Sequence, residues 1–161
     1  MAAFSKKKIA PCLWFDSRLE EAVNFYVSLF GGKVHDTSYY PEGAPMPKGT
    51  VLTMTFSLQD EEFMALNGGP HFKFNEAVSF VVKCKDQAEV DKYWSALTAD
   101  GGQESQCGWL KDKYGLSWQI APEALLTYTT GKDAGRAKRA MQAMMTMKKI
   151  DIATIEKAAA G

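Results

Sequence analysis
The feature of this sequence that most constrains its fold is a pattern that occurs twice. Glu21 to Leu29, closed by Gly31 and Gly32, has the make-up of an amphipathic helix with a glycine stop, and Glu89 to Leu97, closed by Gly101 and Gly102, repeats it. A short apolar run precedes each copy, Ile9 to Phe15 in the first and Ala77 to Val82 in the second, and strand-like segments follow both. The order is strand, helix, strands, stated twice. One such unit leaves a face of its sheet bare, so two copies are expected to pack and share a cleft, which is where function would reside.

At 161 residues the chain is long enough to remove roughly 70% of its unfolded surface from water without disulfide or metal staples. Nineteen basic and nineteen acidic side chains cancel, so no net field draws it toward nucleic acid or an anionic membrane, and Lys6, Lys7 and Lys8 read as a solvated cluster. No apolar run approaches the roughly 18 residues of a membrane span, and the N-terminus lacks the apolar stretch of a signal peptide. A soluble, cytoplasmic protein is expected. The cysteines, Cys12, Cys84 and Cys107, are odd in number and form no Cys-x-x-Cys pair, which suits buried thiols in a reducing compartment.

Along the chain, Ile9 to Phe15 reads as a buried strand, Asp16 and Ser17 as a cap, and residues 18–30 as a helix presenting Leu19, Ala22, Val23, Tyr26 and Phe30 on one face. Lys33 to Tyr40 is a strand, residues 41–49 a Pro- and Gly-rich loop, and Val51 to Leu58 with Phe63 to Asn67 a hairpin turning at residues 59–62. After Gly68, Gly69 and Pro70 the pattern restarts: a strand, a helix from about Asp86 to Ala99, a short strand near Gln103, and a hairpin from Trp109 to Ile120 turning at Asp112 to Gly115. Pro122 ends it. The remainder belongs to neither copy: Ala134 to Lys149 predicts a helix with Ala137, Met141, Met144, Met145 and Lys148 on one side, and Asp151 can cap a last helix bearing Ile152 and Ile155. So many apolar side chains in a terminal segment need cover.

Several segments carry a resemblance: Pro11 to Asp16, Leu66 to Pro70, Cys107 to Asp112 and Gly115 to Ile120, with Met144 to Ala153 in the tail. They are similar to the PhnB-like, 3-demethylubiquinone-9 3-methyltransferase-like group of the glyoxalase, bleomycin-resistance and extradiol-dioxygenase superfamily, also called vicinal oxygen chelate proteins. The resemblance covers residues 6–122 and implies an α+β fold of paired βαβββ modules, 6–67 and 68–122, to which 123–161 adds C-terminal helices. It also implies a homodimer.

Metal-dependent members of that superfamily hold a metal in the cleft on His and Glu ligands. The positions this chain offers are Gln119, four residues after Gly115, then Ser79, then Ile9 or Pro11, and Ala65 or Leu66. None is a His, Glu, Asp or Cys, and an amide with a hydroxyl is a poor nest for a transition metal, so no cofactor is expected. His35 and His71 show none of the close spacing of metal motifs. A thiolate at Cys107 would need a base or cation, which no sequence neighbour supplies. On the last strand Leu116, Trp118 and Ile120 alternate with Ser117, Gln119 and Ala121, which sends the tryptophan toward the helix and Gln119 toward the cavity. The candidate ligand-binding residues are therefore Gln119, Ser79, Ser117, Pro11 and Leu13. An amide orients a neutral polar ligand better than it ionises water. Methyl transfer from a sulfonium cofactor calls for a Gly-rich strand-to-helix turn, and the glycine pairs here follow helices or join modules. Two functions follow from these residues: binding of a small organic molecule without metal, with no nucleic-acid or membrane partner, or a metal-dependent lyase, isomerase or dioxygenase whose ligands lie elsewhere.

Overall fold
The apolar face of the first helix organises everything before residue 74. In the computed structural model, which describes residues 5–129 and 133–161, β1 (Cys12–Phe15) leads to α1 (Leu19–Phe30), and then to β2 (Gly32–Tyr39), β3 (Val51–Leu58) and β4 (Glu61–Asn67). Leu19, Ala22, Val23, Tyr26 and Phe30, the five positions set by the helical period, are all buried. They lie against a four-stranded sheet of order β1-β4-β3-β2 in which β1 runs parallel to β4 and the other pairs are antiparallel. Phe56 and Phe63, paired across β3 and β4, stack with ring centroids 5.4 Å apart. At the helix end Gly31 takes φ 76°, which a side chain would resist, and donates its N–H to the Val27 carbonyl.

The start of α1 differs from expectation. No side chain at the N-cap position, Arg18, caps it. The side chain of Asn67, at the far end of β4, takes that role: its Oδ1 accepts from Leu19 N–H at 3.2 Å while its Nδ2 donates to Val51 O at 2.8 Å. A buried amide that satisfies two elements at once replaces a local cap on one. The first strand also starts later than its apolar run. Ile9 is 87% exposed, because pairing with β4 begins only where Met64 N–H meets Pro11 O. Residues just before it close over the β3–β4 turn, with Lys6 N–H on Glu62 and Lys7 on Glu61.

The chain from Phe74 onward forms a second compact unit. Its elements are β5 (Ser79–Cys84), α2 (Gln87–Thr98), β6 (Gln103–Glu104), β7 (Trp109–Lys111) and β8 (Ser117–Pro122). The sheet order β5-β8-β7-β6, with β5 parallel to β8, is the first unit's order again. Here the helix start is local: Asp86 accepts from Glu89 N–H at 2.9 Å, and Glu89 reaches back to Lys85 N–H at 2.9 Å, close to a capping box. The turn between β7 and β8 is built on buried Asp112, which accepts from Tyr114 N–H, Leu116 N–H and the Trp118 indole.

Three helices follow: α3 (Glu123–Thr129), α4 (Ala134–Met145) and α5 (Ile152–Ala160). The first was not legible in the sequence. Asp133 and Asp151 cap the other two through Arg136 N–H and Thr154 N–H. Their core consists of Ala140, Ile150, Ile155 and Ala159, with Leu125, Tyr128, Met144 and Met147 against it. The expected stripe on α4 is rotated: Met141 and Met145 are exposed and small Ala140 is buried, since a close helix–helix approach favours the smallest side chain. The extension is also bonded to the module. Cys107 and Gly108 donate their N–H groups to the Met147 and Lys148 carbonyls at 2.8 and 2.7 Å, and Gln87 bonds both Ile150 O and Ile152 N–H. Among the described residues no helix is long and apolar enough to cross a membrane.

Candidate functional site
Alternation along β8 divides the second unit's sheet into two chemistries. Trp118 and Ile120 are buried on the side facing α2, as are Leu110 of β7 and Cys84 of β5. The opposite face carries Ser79, Val81, Ser117, Gln119, Ala121, Trp109 and Lys111, which the register places side by side. Gln119 is half-buried there and donates through Nε2 to the Ser79 hydroxyl at 2.9 Å. The two residues the sequence nominated for one cavity thus touch.

Ser117 is 1% exposed, and its hydroxyl has no hydrogen-bond partner among the described residues. Buried polar groups are nearly always paired, because desolvation without a partner is costly. A pocket of about 140 Å³ lies beside it, with Trp109, Lys111, Gln103, Ser105 and Glu76 among its walls. Lys111, directly opposite Ser117 in the β7–β8 register, forms an ion pair with Glu76 from the turn before β5. That bond holds the Glu76 carboxyl below the usual carboxylate range. Lys111 and Glu76 were not singled out from sequence. The alternation of Trp109, Leu110 and Lys111 points the lysine to this face, but nothing local announces Glu76.

The remaining residues weighed from sequence are divided between the two units. Pro11 is exposed at the entry to β1, its carbonyl bonded to Met64 N–H. Leu13 pairs with Ala65 and is buried with it on the α1 side of its sheet. His35 sits at a register skip in β2 and His71 follows the Gly-Gly-Pro junction, both exposed. Cys84 is fully buried, and burial pushes its thiol up to about 12, with Glu89 and Asp86 adding repulsion to the thiolate. The Asp112 carboxylate, at the opposite end of β7 from Cys107, is already engaged by two backbone N–H groups and an indole.

A family model described as 3-demethylubiquinone-9 3-methyltransferase matches residues 7–121. The chain belongs to that family. Among solved structures it is similar to the PhnB protein from Bacillus cereus, 36% identical over 72% of this chain and 99% of that one, with a TM-score of 0.66. Protein PA1353 from Pseudomonas aeruginosa is 20% identical over 73% and 98%, TM-score 0.60. The fosfomycin resistance protein FosX from Mesorhizobium loti is 14% identical over 84% and 100%, TM-score 0.52, a likeness of fold. No curated protein matches. The architecture is the glyoxalase, or vicinal oxygen chelate, fold with added C-terminal helices.

Within this 3-demethylubiquinone-9 3-methyltransferase family the metal expected of the wider superfamily can be tested against the side chains present. Of the positions that resemblance maps, Ser79 and Gln119 bond each other, Ala65 is buried in the core and Ile9 points to solvent. Among the described residues no three His, Cys, Asp or Glu side chains gather to hold an ion. The donor set does not fit a transition metal.

Proposed function
We propose that this chain binds a small organic molecule, without a metal, on the face of the second sheet that carries Gln119, Ser79 and Ser117. The observation that carries the proposal is the buried, unpaired Ser117 hydroxyl at a pocket of about 140 Å³. A hydroxyl kept dry and unbonded beside an open space has the features of a ligand contact. The Gln119 amide, with one N–H on Ser79, retains its carbonyl and its other N–H for a polar ligand. The proposed face is built from second-unit residues; Pro11 and Leu13, just before and within β1, belong to the first unit. Methyl transfer has little support: the strand-to-helix turns are Asp16-Ser17-Arg18 and Lys85-Asp86, with no glycine to approach a cofactor. The proposal includes a cytoplasmic homodimer with no nucleic-acid or membrane partner, and exposed Met141 and Met145 on α4 offer apolar surface for self-association.

A thermal-shift screen of small metabolites against the full chain and its Gln119→Ala variant tests the proposal, since a ligand of the folded state raises the melting point. Compounds that stabilise the parent and not the variant are expected. A stoichiometric transition metal in protein purified without chelators, lost on substitution of Gln119 or His71, would overturn it.

A further inference from the structure
We propose that the pocket beside Ser117 takes the carboxylate of a small organic acid, and that Glu76 occupies the carboxylate position on Lys111 until such a ligand displaces it. The inference rests on the proposal that this face of the second sheet binds a ligand, and it names the ligand's class.

Lys111 and Ser117 are partners in the β7–β8 register, so their side chains rise from the same face and both line the pocket. The ammonium is held by the Glu76 carboxylate, yet that carboxylate does not bond the neighbouring hydroxyl, which stays unpaired. One cation is satisfied and one donor is not. A carboxylate has two oxygens and can accept from the ammonium and the hydroxyl together, so a ligand's carboxylate in this place completes what Glu76 leaves incomplete.

Displacing Glu76 is easy. Its side chain is 63% exposed and that of Lys111 32%, and an ion pair so close to solvent holds weakly because water solvates both charges once they part. Glu76 stands on a turn outside any strand, so it can swing away without disturbing the ladder. The second carboxylate on the pocket's rim, Glu104, does not oppose an incoming anion strongly, because the Trp94 indole and Lys148 hold it at 2.9 and 3.4 Å. The same engagement leaves no free acidic pair to favour a cation. Trp109 supplies an aromatic wall, which suits an acid with an apolar or aromatic body.

Benzoate is the probe, with benzamide as its uncharged counterpart. Each is titrated into the intact chain and its Glu76→Gln, Lys111→Met and Gln119→Ala variants, followed by tryptophan fluorescence and by amide shifts in NMR spectra. Benzoate should bind Glu76→Gln about tenfold more tightly than the parent, lose its affinity in Lys111→Met, and shift the amides of Lys111 and Ser117. Benzamide should be indifferent to both substitutions. Benzoate affinity no higher in Glu76→Gln than in the parent, or undiminished in a folded Lys111→Met, overturns the inference; should Lys111→Met fail to fold, the Glu76→Gln arm decides alone. Metabolites lost from Gln119→Ala while benzoate ignores Lys111 would leave the general proposal standing and sink this one. Benzoate governed by Lys111 and Glu76 but untouched by Gln119→Ala would do the reverse to the Gln119 assignment.

Discussion

The two units share one strand order and differ in what their outer strands cover. In the first, β2 and β3 are eight residues each, and on the face turned away from α1 Thr53 and Thr55 are buried, the Ser38 and Thr53 hydroxyls bonding each other at 2.6 Å. In the second, β6 and β7 have two and three residues, Val81 is exposed, and the matching face holds a pocket and an unpaired hydroxyl. Shortening two strands removes cover from a sheet without altering its topology, and the exposed part of such a scaffold is where a site can form. The second unit makes good its lost edge with the C-terminal extension, whose carbonyls bond the turn at Cys107 and Gly108.

The largest test of that contrast is removal of the extension. A chain ending at Pro122 loses partners for Gln87, Cys107 and Gly108 and the buried Ile150 and Ile155, each such side chain worth about 1.5–3 kcal/mol. Hydrogen exchange should show the second unit destabilised and residues 12–67 protected as before. Uniform loss across both units, or no loss in melting temperature, would break the comparison. Next is Trp118→Ala, expected to cost about 3–5 kcal/mol by leaving a cavity under α2 and removing the indole donor from the Asp112 carboxylate; Gln119→Ala, measured by the same denaturant titration, should cost far less.

Asn67→Ala sharpens the contrast in helix starts. It leaves Leu19 N–H and Val51 O without their side-chain partner, at about 1–3 kcal/mol, whereas Asp86→Ala at the locally capped α2 should cost about 1 kcal/mol. Equal costs would mean that the long-range cap has no special weight. The smallest effect expected is for Ser117→Ala. Its hydroxyl has no partner to lose, so ligand-free stability should stay within about 0.5 kcal/mol of the parent or rise. A drop of the size expected for Asn67→Ala would show the hydroxyl to be structural.

How much could be read beforehand varies with the range of the interaction. The faces of α1 and of β8 follow from periods of 3.6 and 2, and those periods placed Trp118 in the core and Gln119 opposite it. Asp86, Asp133 and Asp151 cap helices that begin at the next residue, a contact within three positions. Asn67 acts on α1 across 48 positions, and no local pattern marks it. The buried stripe on α4 is not the one its methionines predict, because the approach of α5 selects the small Ala140. Ile9 is apolar yet exposed, since a strand extends only as far as its neighbour.

By itself the sequence determined the repeated strand-helix-strands order, the helix faces and the glycine stops, because each depends on backbone geometry and neighbours a few residues away. Only the tertiary structure decided that Ser117 is buried without a partner, that Glu76 answers Lys111, and that Met147 and Lys148 close the turn at Cys107. These are pairings between groups far apart in the chain, and their energies exist only once the sheet register and the docking of the extension have brought the groups together.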